Sequence, residues 1–235
     1  MGDATDGRGV SRMLSRARDR KELLAEILEQ VRPTSMLDVG CGTGELALRL
    51  VEIAGVEECV GVDVSAAAVE RAEEHGLTAY QVDVEDERLP FEDDRFDVIT
   101  ASEVIDYLCD PGNLFREVQR CLRPGGVFVL TTPNLASSHN RIALLAGRLP
   151  LPMQGQFDRL ADGDERATPL SKRCSLYTCG VLHTVLEEHG FVVTEVLGAS
   201  GERPDSSLLH AFVETLAVQW PPLSYRNVFV CEHPP

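Results

Sequence analysis

Apolar residues recur along the chain with two different periods. Short, nearly continuous apolar runs, typical of buried β-strands, alternate with longer segments whose apolar residues recur every three or four positions, which is typical of amphipathic helices. Strands that alternate with helices indicate an α/β fold with a largely parallel sheet. The predicted strands span 36–39, 58–63, 80–84, 96–101, 127–131, 191–197 and 226–231. The predicted helices span 19–31, 45–54, 66–75, 111–121, 178–189 and 206–218.

Two stretches depart from this alternation. Residues 1–18 are rich in Gly, Asp, Ser and Arg without a period, which predicts a flexible N-terminal tail ahead of one domain over 19–235. Residues from about 134 to 175 follow neither period: 135–149 could form a helix, and 150–172 has the composition of a long loop. Long loops in compact domains are usually functional or disordered. Because this one follows the fifth predicted strand, we expect a lid-like insertion over a substrate.

A glycine-rich turn, Gly40–Gly44, joins the first strand to the next helix. Glycines in such a turn allow positive φ angles and let a ligand approach the main chain. In the dinucleotide fingerprint the third glycine lies three residues after the second, but here the spacing is G-x-G-x-G and Glu45 occupies that later position. A carboxylate there repels a pyrophosphate and tolerates a sulfonium or ammonium group. The turn therefore favours a cationic nucleoside over NAD.

The string LDVGCGTG at 37–44 resembles motif I of class I S-adenosylmethionine (SAM)-dependent methyltransferases. The LRPGG turn at 122–126 and the VFVLTTPN that follows are similar to the small-molecule, methyltransferase type 11-like branch of that family. The resemblance covers about 36–197 and implies a Rossmann-like, doubly wound sheet of seven strands in the order 3-2-1-4-5-7-6. Strand 7 would be antiparallel, with helices on both faces. In the family, the helix before the first strand often helps to cover the cofactor; packing beside that strand is its other role.

The resemblance also implies SAM as cofactor, S-adenosylhomocysteine as product, and binding residues at the carboxyl edge of the sheet. Asp63 ends the second strand, where a carboxylate can accept hydrogen bonds from a ribose diol; the alternative is a helix N-cap, which Ser65 fills better. Asp83 matches the acid that reads the adenine amino group, or else belongs to a solvated acidic run. Ser102 would help to hold the methionine moiety. The implied cofactor-binding residues are Asp38, Gly40, Cys41, Gly42, Gly44, Asp63, Val64, Asp83, Val84 and Ser102.

Methyl transfer from a sulfonium requires a nucleophile in line at about 3 to 3.5 Å and the exclusion of water. A base is optional, but a hydroxyl acceptor could pass its proton to a neutral histidine. The candidate catalytic residues are His139, on the expected lid, and Tyr107, just beyond strand 4; Asp106 is a further candidate. Each has a plainer alternative: His139 as a surface loop residue, Tyr107 as a packing residue, and Asp106 as a solvated acid.

Three residues near the expected lid are predicted to contact the acceptor: Asn134, Arg141 and Tyr177. An arginine fork suits an anionic group. Some members of the family carry a His-x-Arg-x-aromatic-Thr string before the helix that follows the lid, whereas this chain has RCSLYT at 173–178, which keeps the aromatic residue and changes both polar positions. This departure leaves open a SAM-binding regulatory or interaction protein without turnover.

Composition and charge restrict the partners. The chain has 235 residues and a formal net charge of -16, so its overall field repels nucleic acids and anionic membranes. No stretch approaches the roughly 20 apolar residues of a membrane span, and the start has no apolar signal core, so we expect a cytoplasmic protein. The seven cysteines include no C-x-x-C pair, and neither a disulfide framework nor a metal site is predicted. The oligomeric state is left open.

These observations predict a SAM-dependent methyltransferase that acts on a small molecule, at oxygen. The regulatory protein without turnover is one alternative. An NAD-dependent oxidoreductase is another, which the position of Glu45 and the glycine spacing disfavour.

Overall fold

The computed structural model describes residues 19–150, 174–201 and 216–234. The strands are β1 (Ser35–Val39), β2 (Glu58–Asp63), β3 (Thr78–Gln81), β4 (Phe96–Ser102), β5 (Leu122–Pro133), β6 (Val192–Ala199) and β7 (Arg226–Glu232). The helices are α1 (Arg20–Val31), α2 (Glu45–Ala54), α3 (Ala66–Glu74), α4 (Gly112–Cys121), α5 (Ser138–Leu145) and α6 (Cys179–Glu188), with 3-10 turns at Ile105–Tyr107 and Pro221–Leu223. The expected tail, residues 151–173 of the expected lid and most of the helix predicted at 206–218 lie outside the described residues.

The seven strands form one sheet in the order β3-β2-β1-β4-β5-β7-β6. Strands β1 to β5 pair in parallel, and β7 runs antiparallel to both β5 and β6. The predicted strand order and the antiparallel seventh strand are thus confirmed. Ligands in doubly wound sheets bind outside the carboxyl ends of the strands, where the strand order reverses. Here that point lies between β1 and β4, directly above the glycine turn.

The two faces of the sheet bury separate apolar cores because successive side chains of a strand point in opposite directions. On β1, Leu37 belongs to the core that includes residues of α4 and α6, whereas Met36 belongs to the core that packs against α1. Ile99 and Val98 of β4 divide in the same way. β4 is buried along nearly its whole length, as a central parallel strand should be.

Several predicted boundaries differ from those observed. The third strand ends at Gln81, before Asp83, because the Asp83 carbonyl accepts hydrogen bonds from the backbone N–H groups of residues 86 and 87 in a turn. β5 continues to Pro133 because β7 pairs with it as far as Pro133 and Arg226. The helix expected over 135–149 begins only after Ser137, whose hydroxyl caps it, and ends at Leu145. In the part of the chain that the structure describes, no helix has both the length and the apolar character to cross a membrane.

Candidate active site

A cleft of about 490 Å³ opens at the carboxyl edge of the sheet. Its walls come from the glycine turn, the ends of β2 and β4, and the segments that follow β3 and β4. Four carboxylates line it, those of Asp63, Asp83, Glu85 and Glu103, and no lysine or arginine among the described residues does so. The cleft is therefore acidic, although the carboxylate of Glu103 is paired with Arg226, and its other walls are largely apolar.

The glycine turn reaches the cleft at its first residue, Gly40. Gly40 has a φ of 69°, and a Cβ built on it would lie 2.3 Å from Cγ2 of Val104, which itself lines the cleft. No other residue fits there without displacing Val104. The backbone N–H groups of Gly40 and Cys41 both donate to the carbonyl of Val62, at 2.8 and 3.0 Å. These two bonds fold the turn over the end of β2.

Asp63 connects the glycine turn to the start of α3. Its Oδ2 accepts a hydrogen bond from the Gly42 N–H at 2.9 Å, and its Oδ1 accepts one from the Ser65 N–H at 2.9 Å. A carboxylate oxygen can accept more than one hydrogen bond, so both oxygens keep acceptor capacity. The Ser65 hydroxyl caps α3 by accepting from the Ala68 N–H, which leaves the carboxylate of Asp63 outside that cap.

Asp83 lines the cleft beyond the end of β3, and its Oδ1 accepts a hydrogen bond from the Glu85 N–H at 3.1 Å. Apolar side chains line the cleft beside it, among them Val64, Val84 and Leu108. An acidic group next to an apolar slot is suited to a flat heteroaromatic ring that carries an amino group.

Asp38 lies beneath the turn and not in the cleft lining. It is 2 % exposed, and the Thr100 hydroxyl donates to its Oδ1 at 2.6 Å. Burial raises the pKa of Asp38 to about 6, against the lowering effect of the Thr100 hydrogen bond. Cys41 is also buried, with its sulfur against the backbone at Gly61, where a Cβ would lie 2.6 Å from Sγ. Both residues support the turn from below.

The cleft thus brings together six of the predicted cofactor-binding residues. Those in its lining are Gly40, Asp63, Val64, Asp83, Val84 and Ser102. Those outside it are Asp38, Cys41, Gly42 and Gly44.

Sequence reasoning did not find Arg20, which supports the floor of the cleft from α1. Its Nη1 donates to Oγ of Ser102 at 2.7 Å, and that oxygen lies 3.0 Å from Oγ1 of Thr131. Arg20 and Ser102 are 82 positions apart in the sequence. Arg20 precedes Leu23 and Leu24 by one helical turn and so shares the apolar face of α1, which is the signal that could have revealed it.

Glu103, directly at the end of β4, was given no role from the sequence. Its φ of 62° is rare for a residue with a side chain and is typical of strained functional positions. Its Oε1 accepts a hydrogen bond from Nε of Arg226 at 2.9 Å, and the two side chains are 15 % and 11 % exposed. A charged residue immediately after an apolar central strand was the available signal.

Of the acceptor-side predictions, only Tyr107 lies in the cleft lining, where it is 38 % exposed. The neighbouring Asp106 is fully buried, so its interpretation as a solvated acid was wrong. The main-chain carbonyl of Asp106 accepts hydrogen bonds from the N–H groups of Cys174 and Ser175, at 2.8 and 3.2 Å. This turn therefore joins the wall beyond β4 to the segment ahead of α6.

His139 and Arg141 belong to α5 and do not line the cleft. The ring of His139 packs edge-on against that of Tyr225, with 5.8 Å between centroids, so His139 is not a loop residue. Arg141 is exposed, and its Nε donates to the carbonyl of Ala136 at 2.6 Å.

Asn134 and Tyr177 are also outside the cleft lining. Asn134 is 1 % exposed; its amide nitrogen donates to the carbonyls of residues 222 and 224 at 3.1 and 3.0 Å, and its Oδ1 accepts from the N–H of Ala136 at 3.0 Å. Tyr177 is partly buried, and its backbone pairs with Asn134. The predicted acceptor contacts at Asn134, Arg141 and Tyr177 therefore find no support in this geometry, because the turn before β7 folds back over the end of β5.

A family model described as a methyltransferase domain matches residues 11–196. Together with the sheet order and the acidic cleft, this match shows that the chain belongs to the class I SAM-dependent methyltransferases. Methyltransferases of this family use SAM and produce S-adenosylhomocysteine. Among the described residues, no three His, Cys, Asp or Glu side chains are grouped so as to hold a metal ion.

Characterised relatives match part of the chain. It is 36% identical over 104 residues to 27-O-demethylrifamycin SV methyltransferase of Amycolatopsis mediterranei, which covers 40% of this chain and 37% of that protein. It is 32% identical over 115 residues to malonyl-[acyl-carrier protein] O-methyltransferase of Pseudescherichia vulneris, which covers 49% and 45%. The chain thus spans less than half the length of these two relatives.

A solved methyltransferase of Haloferax volcanii, in complex with the Trm112 methyltransferase activator, has a similar fold. Its TM-score is 0.64 at 18% sequence identity, over 92% of this chain and 90% of that one. At this identity the similarity concerns the fold alone.

Proposed function

We propose that this protein transfers the methyl group of SAM to an oxygen atom of a small-molecule acceptor. The observation that carries the proposal is the cleft beside the glycine turn, which is lined by four carboxylates and, in the described part of the chain, by no lysine or arginine. SAM carries a sulfonium and an ammonium against one carboxylate. An acidic, partly apolar cleft favours such a net cation over a phosphorylated nucleotide.

The residues of the cleft fit the parts of this nucleoside. Asp63 is fixed by two backbone N–H groups and accepts the ribose hydroxyls; Asp83 accepts the adenine amino group beside the apolar wall of Val64 and Val84. The missing side chain of Gly40 lets Val104 pack against the turn, and both residues border the part of the cleft proposed for the methionine moiety. When bound, SAM supplies an electrophilic methyl group on a positive sulfur. The work of the protein is then to position the acceptor and exclude water.

Oxygen is proposed as the methylated atom on two grounds. The relative from Pseudescherichia vulneris is named an O-methyltransferase, and the name of the relative from Amycolatopsis mediterranei refers to a substrate that lacks a methyl group at the 27-O position. Tyr107, in the cleft lining, provides a hydroxyl that can orient an acceptor hydroxyl by hydrogen bonding. We propose Tyr107 ahead of His139 for this role because His139 lies on α5, outside the lining.

The glycine turn argues against NAD. Pyrophosphate sites use backbone N–H groups that point at the ligand from the turn and the helix N-terminus. In this turn the N–H groups of Gly40 and Cys41 donate to Val62, and that of Gly42 donates to Asp63. These donors are already used within the chain.

Calorimetry with the full chain tests the cofactor. S-adenosylhomocysteine and SAM should bind with micromolar or tighter affinity, and NADH should give no heat. Binding of NADH in place of SAM would overturn the proposal.

Product formation tests the reaction. With SAM and a panel of matched acceptors that carry a hydroxyl, a carboxyl or an amine on the same scaffold, S-adenosylhomocysteine should accumulate with hydroxyl acceptors. Methylation only at nitrogen would contradict the assignment to oxygen.

A second candidate function is SAM binding without turnover. The internal contacts of Asn134, Arg141 and Tyr177 favour it, because these side chains are not arranged around the cleft. Tight SAM binding with no product across the whole acceptor panel would select this function.

A further inference from the structure

Two of the seven cysteines differ from the rest. Cys109 and Cys174 are exposed, whereas the other five are buried or partly buried. Both exposed cysteines line the cleft, on different segments of the chain: Cys109 follows the 3-10 turn beyond β4, and Cys174 precedes α6. The proposed methyl transfer uses neither of them.

The structure holds these two thiols together although 65 positions separate them in the sequence. The thiols share a hydrogen bond. On one side, the Cys109 N–H and the N–H of Asp110 both donate to Oε1 of Glu85 at 2.9 Å. On the other side, the Cys174 N–H donates to the carbonyl of Asp106 at 2.8 Å. Backbone hydrogen bonds therefore hold each cysteine in place beside its partner.

We propose that Cys109 and Cys174 form a reversible disulfide across the mouth of the cleft. Two adjacent thiols form a disulfide when side-chain rotation brings the sulfurs to the S–S bond length of about 2.05 Å. The oxidant is a low-molecular-weight disulfide. One cysteine, as its thiolate, attacks this disulfide and releases one small thiol; the second cysteine then displaces the other small thiol. The protein loses two protons and two electrons, and one small disulfide becomes two small thiols.

The surroundings of Cys109 slow its attack on a disulfide at neutral pH. The hydrogen bond with Cys174 raises the pKa of Cys109 to about 11, and the carboxylate of Glu85 adds to the effect. Since the thiolate is the attacking species, little of it is present at neutral pH.

The disulfide would act on the ligand by fixing the mouth of the cleft. It would tie the wall beyond β4 to the segment ahead of α6, so that the two sides could no longer separate. This second part of the inference rests on the proposed cofactor site, whereas formation of the disulfide does not.

Peptide mapping tests the covalent step. The full chain is incubated with oxidised glutathione at about pH 8.5, near the ordinary pKa of a cysteine, then alkylated and digested without reductant. We expect a cross-linked peptide that joins Cys109 to Cys174, the loss of two of the seven free thiols, and full reversal by dithiothreitol. Glutathione adducts on both cysteines without the cross-link, or a cross-link to a different cysteine, would overturn the proposal.

Serine variants provide the controls. Cys109→Ser and Cys174→Ser should each give no cross-link. Cys179→Ser, which removes a partly buried cysteine close to Cys174 in sequence and outside the cleft lining, should keep it. Loss of the cross-link in Cys179→Ser would overturn the assignment.

The release rate of S-adenosylhomocysteine tests the effect on the cleft. We expect release from the oxidised protein to be slower by about fivefold or more, since a fixed entrance slows the passage of the ligand in both directions, with recovery on reduction and no change in Cys109→Ser treated in parallel. A mapped disulfide with an unchanged rate would overturn the gating role. If the reduced protein binds no S-adenosylhomocysteine, the proposed function fails, and the peptide map alone decides whether the disulfide forms.

Discussion

The two sides of the cleft edge are built differently. On the side proposed for the cofactor, backbone N–H groups hold the glycine turn through the Val62 carbonyl and hold the carboxylate of Asp63 directly. The residues after β5 were predicted to form the acceptor side. Asn134 instead donates hydrogen bonds to carbonyls of the turn before β7, and Arg141 donates to the carbonyl of Ala136, just ahead of α5. The first arrangement leaves carboxylates facing the cleft, whereas the second leaves its side chains outside it.

This difference follows from the range of the contacts. A glycine turn between a strand and a helix depends on backbone geometry over a few residues, so one short string specifies it. The surroundings of Asn134 depend on residues about 90 positions away. A cofactor side formed by local backbone geometry can serve many acceptors, while the acceptor side is set by the long-range packing of each chain.

The largest effect is expected from Gly40→Ala, which attacks the cofactor side at its tightest point. The new Cβ would lie 2.3 Å from Cγ2 of Val104, and the φ of 69° adds strain. Left-handed strain of about 1 to 2 kcal/mol and overpacking of about 1 to 3 kcal/mol should lower the free energy of unfolding by about 3 kcal/mol. Displaced Val104 should also weaken SAM binding by about 100-fold or more. Urea unfolding and calorimetry measure the two effects.

Gly55→Ala is the matched control because Gly55 has the same φ of 69° and no neighbour within 4 Å of a new Cβ. It should lower the free energy of unfolding by only about 1 to 2 kcal/mol and leave SAM affinity unchanged. Equal losses of affinity in the two variants would show that Gly40 does not border the ligand.

Asp63→Ala should have the next largest effect. It removes a carboxylate that accepts two backbone hydrogen bonds and, in the proposed function, those of the ribose. Loss of charge-assisted hydrogen bonds should weaken SAM binding by about 1.5 to 3 kcal/mol. Asp83→Ala is the companion variant for the adenine side. Unchanged calorimetric affinity in Asp63→Ala would refute the ribose role.

The sequence predicted the parts of the molecule that local patterns determine. The strand order was predicted from the resemblance of 37–44 to the family motif. The ends of β1 and β2 were predicted correctly because the apolar runs stop at Gly40 and Asp63. Arg20 was missed and Glu103 was given no role because their partners, Ser102 and Arg226, are distant in sequence. Sequence distance also explains why Asn134 looked available for a substrate although its amide is buried.

Asp38→Asn tests how much the ionisation of the Asp38 carboxyl, beneath the glycine turn, changes the free energy of unfolding. Burial raises the pKa of Asp38 from 3.8 to about 6, so the folded chain binds more protons than the unfolded chain between these values. Stability therefore falls as pH rises through this window, by about 2 to 3 kcal/mol in all. The neutral amide keeps the shape and an acceptor for Thr100. Urea unfolding should show the variant more stable than the wild type at pH 7.5, with the gain shrinking below about pH 5.

Asp97→Asn is the control of opposite sign. Burial acts to raise the pKa of Asp97, but hydrogen bonds from Thr34 and Ser35 and the Arg123 guanidinium outweigh it, and the pKa lies below its ordinary value. Its stabilisation is present above the unfolded pKa and is lost as pH falls through the folded one. Asp97→Asn should therefore be less stable than the wild type at neutral pH. The same sign for both variants would contradict the raised pKa of Asp38.

The smallest effects are expected from the residues predicted to act on the acceptor. They distinguish Tyr107, which lines the cleft, from Arg141 and His139, which do not. Tyr107→Phe removes one hydroxyl from the cleft lining. It should lower kcat by about tenfold, less than the roughly 100-fold minimum of a proton-transfer contribution, because the proposed role of the hydroxyl is to orient the acceptor, and it should leave SAM affinity unchanged. Arg141→Ala and His139→Ala alter residues outside the lining and should change kcat by less than about twofold, because neither side chain reaches the cleft. Single-turnover rates with saturating SAM measure all three. A lower kcat for His139→Ala than for Tyr107→Phe would contradict this assignment. It would place the acceptor hydroxyl near His139 on α5.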